Sequence, residues 1–289
     1  MILITGATGH LGEETIKFLI DKNFDPNNII GLVRDEQKAA TLTSYGVQIR
    51  NGDYDDVISL EKAFQGIDKL LFISGSDILN RDKQHYNVVD AAVTAKVNHI
   101  YYTSASRRDD NKESGIFSVI KTHIDTENYI IESGLNYTFF RNALYAEGIP
   151  DFVGPQVLVN GIFLPAGNGK VPFATRSNMA EAIANVLLEE DHFNEALDLV
   201  NNENYSFSQI AEILTQITGK QVVYNNPSKQ IFKETLQKAE IPIERIMGIS
   251  AFMEGIKQGY FEKEHTDLER LLGRKPDDLL TVLKAIYTP

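Results

Sequence analysis

Short runs of apolar and β-branched residues alternate with segments of helical periodicity through the first half of the chain. In the first such segment, Leu11, Ile16 and Leu19 fall on one face of a helix. The apolar runs predict six strands, at Met1–Thr5, Ile29–Val33, Val47–Arg50, Leu70–Ile73, Ile100–Thr103 and Tyr137–Phe140. Helices are predicted between them, including one over Phe117–Glu132. Because strands and helices at this rhythm form βαβ crossovers, we expect an α/β Rossmann fold, a doubly wound parallel sheet with helices on both faces.

The rhythm changes after the sixth predicted strand. Residues 148–169 are rich in glycine and proline and predict a loop-rich stretch. Further along the chain a strand is predicted at Leu197–Val200, and helices at Ser177–Glu189, from Ser206 to near Gly219 and over most of the chain after Ser228. Ser206 and Gln209 have the spacing of a capping box. We therefore expect a Rossmann domain over residues 1–150 and a smaller, mainly helical substrate-capping region over residues 151–289, with some segments returning to the Rossmann core.

The composition narrows the possible function classes. The 289 residues are 43% hydrophobic and 24% charged, as in ordinary globular proteins, and their net charge is −12. Nucleic-acid binding rests on a basic surface, and no basic cluster is visible, so no nucleic-acid partner is expected. The absence of cysteine excludes disulfides and thiolate metal sites, and no metal is expected. Without an apolar run of about 18 residues or a secretory leader pattern, we expect a cytoplasmic protein with no membrane insertion.

The segment GATGHLG follows the first strand and precedes the first helix. In that setting, Gly6 permits a tight turn, Gly9 lets the backbone approach a pyrophosphate, and Gly12 lets the helix pack closely on the strand. The free N–H groups at the helix N-terminus attract phosphates. The segment therefore predicts a dinucleotide site formed by Gly6, Thr8, Gly9, His10, Leu11 and Gly12. A glycine turn that binds no ligand is the alternative.

The end of the second strand bears on which dinucleotide is bound. Arg34 directly follows the last apolar residue, and Lys38 lies one helical turn further on. A guanidinium group suits the 2′-phosphate of NADPH, whereas an acidic residue at this position usually binds the ribose of NADH. Asp35 could serve that second role if Arg34 turned outward, and the whole segment could be a solvated strand end. We expect NADPH, with NADH possible.

The proton relay of the commonest dehydrogenases with this loop is missing. Those enzymes carry Tyr-x-x-x-Lys on the helix after the fifth strand, where the lysine lowers the pKa of the tyrosine. The chain has 12 tyrosines, and none is followed by a lysine four residues later. The usual chemistry of alcohol oxidation and epimerisation is therefore not expected.

Several segments, in order and over nearly the whole chain, resemble one protein family. The N-terminal TGATG-x-LG pattern is characteristic of the extended and atypical branches of the short-chain dehydrogenase/reductase superfamily. Together with VRD, the run KTHIDTENYIIESGLNYTFFRNALYAE resembles the NmrA-like branch. This run, PAGNGKVPFATRSNMAEAIANVL and LLGRKP are most similar to the type 2 group of bacterial NAD(P)H:quinone oxidoreductases.

The resemblance implies further residues of the cofactor site. Asp53 and Tyr54 match the Gly-Asp position of the family, where the aspartate commonly meets the adenine amino group. Ser74, Gly75 and Ser76 after the fourth strand would contact the ribose and phosphates, and Thr103 and Ser104 at the end of the fifth strand are also assigned to the cofactor site. Ordinary turn chemistry also accounts for several of these residue types.

The resemblance also indicates three candidate catalytic residues. His123 lies where related reductases of this branch carry a lysine, and it could donate a hydrogen bond to the nicotinamide region or a carbonyl oxygen. Asn142, also assigned to the cofactor site, could bond the carboxamide or a quinone oxygen. Tyr145 could stack on a flat ring or donate its hydroxyl group. A capping role for His123 and a packing role for Tyr145 are the alternatives.

These features together predict NADPH-dependent reduction of a quinone or similar small carbonyl acceptor by hydride transfer. One alternative is a non-catalytic NADP(H)-binding sensor that regulates a protein partner. A second is a nucleoside-diphosphate-sugar epimerase, which the absent Tyr-x-x-x-Lys disfavours. The helix over Phe117–Glu132 could contact a second copy in a homodimer.

Overall fold

A computed structural model describes residues 1–189 and 191–288. The strands in chain order are β1 Ile2–Ile4, β2 Ile29–Val33, β3 Gln48–Asn51, β4 Lys69–Phe72, β5 His99–Ala105, β6 Asn136–Asn142, β7 Ile162–Phe163, β8 Lys170–Val171, β9 Glu195–Leu199, β10 Tyr205–Ser206 and β11 Tyr224–Asn225. The α-helices are α1 His10–Asp21, α2 Ala40–Ser44, α3 Val57–Ala63, α4 Arg81–Thr94, α5 Phe117–Glu132, α6 Ile149–Val153, α7 Val157–Asn160, α8 Arg176–Leu188, α9 Phe207–Thr218, α10 Lys229–Lys238, α11 Ile243–Lys257, α12 Leu268–Leu272 and α13 Leu279–Tyr287.

Seven strands form one parallel sheet in the order β3-β2-β1-β4-β5-β6-β9. The predicted Rossmann fold is confirmed, and the six strands predicted in the first half all form, with ends shifted by no more than two residues. The chain order of the strands reverses between β1 and β4. In open α/β sheets this reversal leaves a crevice at the carboxyl ends of the strands, where ligands bind.

Helices cover both faces of the sheet. On one face α1 packs against α8, and side chains such as Ile16 and Ile183 are fully buried there. On the other face α3, α4 and α5 cover Phe64, Phe72 and Tyr102, which are also fully buried. Large apolar groups therefore fix both layers, and the loops at the carboxyl edge are left to carry polar side chains.

The chain after β6 contributes to two separate apolar clusters. Strand β9 pairs with β6 and extends the sheet, and residues of the helices α8 and α12 belong to the same apolar cluster. Most of the other elements surround a second cluster, which includes Phe173, Phe207 and Met253. The predicted capping box of α9 forms: Ser206 and Gln209 bond each other's backbone N–H groups, and Gly219 ends the helix in the left-handed conformation. The domain boundary at residue 150 stays a prediction.

None of the helices over the described ranges is both long enough and apolar enough to span a bilayer.

Candidate functional site

The glycine loop forms a turn whose close contacts leave no room for larger residues. Gly6 has a φ of +58°, and the Gly9 N–H donates a hydrogen bond of 2.9 Å to the Gly6 carbonyl. A Cβ atom on Gly12 would lie 2.4 Å from that same carbonyl oxygen. The helix α1 starts at His10 without a side-chain cap, so its first N–H groups remain available to an anion.

Next to this loop, a cavity of about 380 Å³ opens at the carboxyl ends of β1 to β4. Nine residues predicted for the cofactor site line it: Gly6, Thr8, Gly9, Arg34, Asp53, Tyr54, Ser74, Gly75 and Ser76. Sequence reasoning missed a further set: Leu32, Val33, Gly52, Asp55, Ile73, Asp77 and Gln84. Most of these adjoin predicted residues along the chain. Gln84 does not, because it reaches the cavity from α4 and has no motif around it.

The remaining predicted residues lie outside the cavity lining, and their side chains show why. His10 and Lys38 are exposed, whereas Leu11 packs into the apolar core and Gly12 holds the helix against the loop. Leu11 and Gly12 can therefore contact a ligand only through their backbone groups, and His10 and Lys38 can do so through their exposed side chains. The cofactor roles of these four residues stay predictions.

Arg34 and Asp35 differ in how they are engaged. The Asp35 carboxylate accepts a hydrogen bond of 3.0 Å from the Gln37 N–H and caps a short 3-10 helix over Glu36–Ala39. Arg34 lines the cavity and is exposed, and its guanidinium group has no hydrogen bond or ion pair with any residue in 1–189 or 191–288. The aspartate is therefore occupied by the backbone, and the guanidinium group is free to meet a phosphate.

Tyr54 forms part of the cavity wall, and its hydroxyl group is bonded to the strands on either side. Its hydroxyl group donates a 2.8 Å hydrogen bond to the Ile73 carbonyl and lies 2.5 Å from the Thr5 hydroxyl. Burial raises the pKa of Tyr54 well above its usual value, so the phenol stays protonated. The side chain therefore ties the ends of β1 and β4 together and presents its ring to the cavity.

Thr103 and Ser104 lie within β5, near its carboxyl end, and do not line the cavity. Thr103 is buried and its hydroxyl accepts a 2.9 Å hydrogen bond from the Ser74 N–H. Ser104 is also buried, and its hydroxyl donates a 2.5 Å hydrogen bond to the carboxylate of Glu127 on α5. Both hydroxyl groups are therefore committed to neighbouring protein groups.

A buried ionic cluster lies beside Ser104. Arg107 and Glu127 are each less than 5% exposed, and two bonds of 2.9 and 2.7 Å join them. Arg141 on β6 adds a 2.7 Å bond to the same carboxylate. Burial opposes the charge of Glu127, but the bonds from Arg107 and Arg141 outweigh it and lower its pKa to about 2. The cluster fixes α5 against the ends of β5 and β6.

Polar atoms without partners occur at the carboxyl ends of β5 and β6. The side-chain nitrogen and oxygen of Asn142 and the hydroxyl of Ser106 are buried, and none makes a hydrogen bond of normal geometry within the described ranges. The Tyr145 hydroxyl is the polar neighbour of the Asn142 amide, which partly offsets the effect of burial on the pKa of Tyr145. Buried polar atoms are costly when unpaired, so such a group is suited to a polar ligand. A carboxamide-bearing ring fits this donor and acceptor set, which agrees with the cofactor expected from the glycine loop.

The other two candidate catalytic residues, Tyr145 and His123, are outside the cavity lining. Tyr145 follows β6, and the Arg176 guanidinium group stacks on its ring at 4.1 Å. Burial raises the pKa of Tyr145, so its hydroxyl is a donor and not a base. His123 on α5 lies with Nδ1 2.9 Å from the Tyr102 hydroxyl. Burial lowers the pKa of His123 to about 3, which leaves the imidazole neutral at neutral pH.

The chain belongs to the NmrA-like family, whose model matches residues 1–285. It is 35% identical over 288 residues to quinone oxidoreductase 2 of Escherichia coli (strain K12), covering 99% of each chain. The crystal structure of the NADPH-dependent quinone oxidoreductase of Escherichia coli complexed with NADPH superposes with a TM-score of 0.90, at 33% identity and 100% coverage of both chains. The triphenylmethane reductase of Citrobacter sp. complexed with NADP(H) gives a TM-score of 0.88, at 38% identity, and covers 99% of this chain and 100% of its own.

Proposed function

We propose that the protein is an NADPH-dependent oxidoreductase that reduces quinones or similar flat carbonyl acceptors. The observation that carries the proposal is the similarity over 99% of both chains to a quinone oxidoreductase. The glycine loop, the cavity beside it and the free guanidinium group of Arg34 support it independently, because together they suit a dinucleotide with a 2′-phosphate.

Different residues of the chain bind different parts of the cofactor. The N–H groups at the start of α1 bind the pyrophosphate, Arg34 binds the 2′-phosphate, and Asn142 pairs with the carboxamide or with the acceptor oxygen. NADPH, when bound, supplies the hydride that the acceptor takes up. The protein contributes orientation and hydrogen bonds to the reacting groups.

The missing Tyr-x-x-x-Lys agrees with this class of acceptor. A quinone accepts hydride readily and its hydroquinone anion is a weak base, so the reaction needs less general-acid help than ketone reduction. The neutral imidazole of His123 and the amide of Asn142 are the proposed hydrogen-bond donors to the reduced oxygen.

The direct test measures NADPH oxidation by the purified protein against a panel of quinones, under air and anaerobically. We expect loss of NADPH absorbance that depends on the quinone, with one hydroquinone formed per NADPH. A triphenylmethane dye and a UDP-sugar serve as parallel acceptors. Binding of both NADP⁺ and NADPH with no turnover of any quinone would contradict the proposal and support a nucleotide sensor instead.

Arg34 provides the test of nucleotide choice. We expect Arg34→Ala to raise the Kd for NADPH by about 10- to 150-fold, because a hydrogen bond to a charged group contributes about 1.5–3 kcal/mol. The Kd for NADH, which has no 2′-phosphate, should stay the same. The control Arg245→Ala removes an exposed arginine of α11 that is not part of the cavity lining. Equal weakening of both nucleotides by Arg34→Ala would show that Arg34 does not read the 2′-phosphate.

We also propose a cytoplasmic homodimer that pairs through α4 and α5. Val93 and Ile131 are large apolar side chains on these helices with 43% and 48% exposure, and they support the proposal as a surface that a second copy could cover. Light scattering after size exclusion tests it, and Ile131→Asp should yield monomers.

A further inference from the structure

Three aromatic side chains between β5, α4 and α5 form one hydrogen-bonded chain, His85–Tyr102–His123. His85 and Tyr102 are fully buried, and His123 is partly accessible. The chain begins at the cofactor cavity, because the N–H of the cavity residue Gly75 donates a 3.0 Å hydrogen bond to Nε2 of His85. It ends at the imidazole of His123.

The hydrogen bonds of His85 fix its tautomer. Since Nε2 accepts from the Gly75 N–H, that nitrogen carries no proton. Nδ1 lies 2.8 Å from the hydroxyl of Thr126, which donates its own hydrogen to the Thr122 carbonyl at 2.6 Å. Nδ1 must therefore be the donor to Thr126, and His85 is a neutral imidazole with its proton on Nδ1.

The same reasoning passes through Tyr102 to His123. The Tyr102 hydroxyl lies 3.4 Å from Nδ1 of His85 and 2.9 Å from Nδ1 of His123. The first of these nitrogens carries a proton and cannot accept a second hydrogen. The Thr126 hydroxyl, which also neighbours Tyr102, already accepts from His85, so Nδ1 of His123 at 2.9 Å is the acceptor left for the Tyr102 hydrogen. With Tyr102 as the donor, the proton of His123 lies on Nε2.

The surroundings keep this arrangement neutral. Burial, with smaller contributions from His123 and Arg81, lowers the pKa of His85 to about 2. Burial, with a smaller contribution from Arg81, lowers the pKa of His123 to about 3. Burial raises the pKa of Tyr102 well above its usual value, so the phenol keeps the hydrogen that it donates. Nε2 of His123 has no hydrogen-bond partner within residues 1–189 and 191–288, and it is not among the fully buried polar atoms.

We propose that Tyr102 and His85 are positioning residues that hold His123 as a neutral imidazole with its proton on Nε2, and that this N–H group donates a hydrogen bond to the carbonyl oxygen of the hydride acceptor. The inference rests on the proposed function, because it assigns a donor for that reaction. The substrate it fits is a flat carbonyl compound whose oxygen gains negative charge as the ring is reduced.

The step balances without proton transfer from His123. The acceptor gains a hydride, two electrons and one proton, from NADPH, and its oxygen then takes a proton from water. His123 keeps its proton throughout and stabilises the charge that develops on the oxygen. A neutral imidazole is a suitable donor in this role because it polarises a carbonyl without being consumed as an acid.

The tautomers can be read by nitrogen-15 NMR of the histidines in the cofactor-free protein, which needs no turnover. Between about pH 6 and 8, we expect His85 as the neutral Nδ1–H form and His123 as the neutral Nε2–H form. In Tyr102→Phe, His123 should become a mixture of two tautomers while His85 is unchanged. A proton on Nδ1 of wild-type His123, or a charged His123 in this range, would overturn the inference.

A kinetic cycle tests whether Tyr102 acts through His123. We expect Tyr102→Phe and His123→Ala each to lower kcat for quinone reduction about tenfold, with the Kd for NADPH unchanged, and the double variant to be no slower than His123→Ala. His123→Gln, which places an amide N–H near the Nε2 position, should recover most of the rate. Tyr101→Phe is the control, and it should leave kcat unchanged. It removes a hydroxyl from the residue next to Tyr102 in β5, but the ring of Tyr101 stacks on His99 in the opposite layer.

The outcomes separate the inference from the function on which it rests. If the wild-type protein reduces quinones and the variants at positions 102 and 123 keep its kcat, the inference is wrong and the function stands. If the wild-type protein reduces no quinone, the proposed function is wrong, and the donor role of His123 in that reaction is wrong as well. Additive losses in the double variant would show that Tyr102 acts independently of His123.

Discussion

Replacement of Gly12 by alanine is expected to weaken NADPH binding by about 100-fold while the rest of the fold survives. The added Cβ would lie 2.4 Å from the Gly6 carbonyl oxygen and 3.0 Å from the Cα of Ala7, and both are backbone atoms that cannot rotate away. Overpacking of this kind costs about 1–3 kcal/mol. Since it separates the loop from α1, we expect the Kd for NADPH to rise by about 100-fold, which corresponds to about 2.7 kcal/mol.

Isothermal titration calorimetry and the NADPH-induced rise in Tm measure this effect directly, because a ligand that binds only the folded state raises Tm. The matched control is Gly248→Ala in the middle of α11. A Cβ there would meet no atom within 4 Å, so nucleotide binding should be unchanged and the helix slightly more stable. Wild-type affinity in Gly12→Ala would mean that the loop relaxes without affecting the site.

Replacement of Glu127 by alanine is expected to cause the largest loss of stability. The change leaves the guanidinium group of Arg107, buried at 3% exposure, with only the exposed Asp110 as a carboxylate partner, and it removes the bidentate bond to Arg141. Breaking a buried ion pair on one side costs about 3–5 kcal/mol. For a chain of this size that corresponds to a fall in Tm of roughly 6–20 °C. Differential scanning calorimetry of the two proteins measures it.

A surface carboxylate gives the control for this variant. Asp21 pairs with Lys17 at 3.9 Å, and both side chains are more than half exposed. Asp21→Ala should change the free energy of unfolding by less than about 1 kcal/mol. If Glu127→Ala lowered the free energy of unfolding by less than about 1 kcal/mol, water or neighbouring groups would be replacing the carboxylate.

The same cluster predicts how stability depends on pH. The folded-state pKa of Glu127 is lowered to about 2 from 4.5, so its contribution is complete above 4.5 and is lost as the pH falls from 4.5 towards 2. The difference in unfolding free energy between wild type and Glu127→Gln should therefore be constant from pH 8 to about 5 and shrink below that. Denaturant titrations along a pH series measure it, and a difference that stays constant to pH 3 would contradict this prediction.

The sequence determined much of the fold and one half of the site. Most strands of the first half contain a short apolar run, and β3, with the sequence QIRN, is the exception; the positions of the others follow from the local pattern. The glycine loop and Arg34 are equally local, because the backbone of Gly6 to Gly12 and the strand end of β2 define their geometry within a few residues. The sequence also left Asp35 as a competitor of Arg34, which the structure resolves by its cap on the following 3-10 helix.

Only the tertiary structure decided how the other half of the site is built. In the structure Thr103 and Ser104 lie outside the cavity lining, with their hydroxyl groups bonded to Ser74 and Glu127, and Gln84 of α4 is part of the lining. The structure also joined His85, Tyr102 and His123, which are separated along the chain by 17 and 21 residues. The physical reason is the range of the interactions: apolar periodicity and turn chemistry act between near neighbours in sequence, whereas the direction of a hydrogen bond depends on where packed helices place its donor and acceptor.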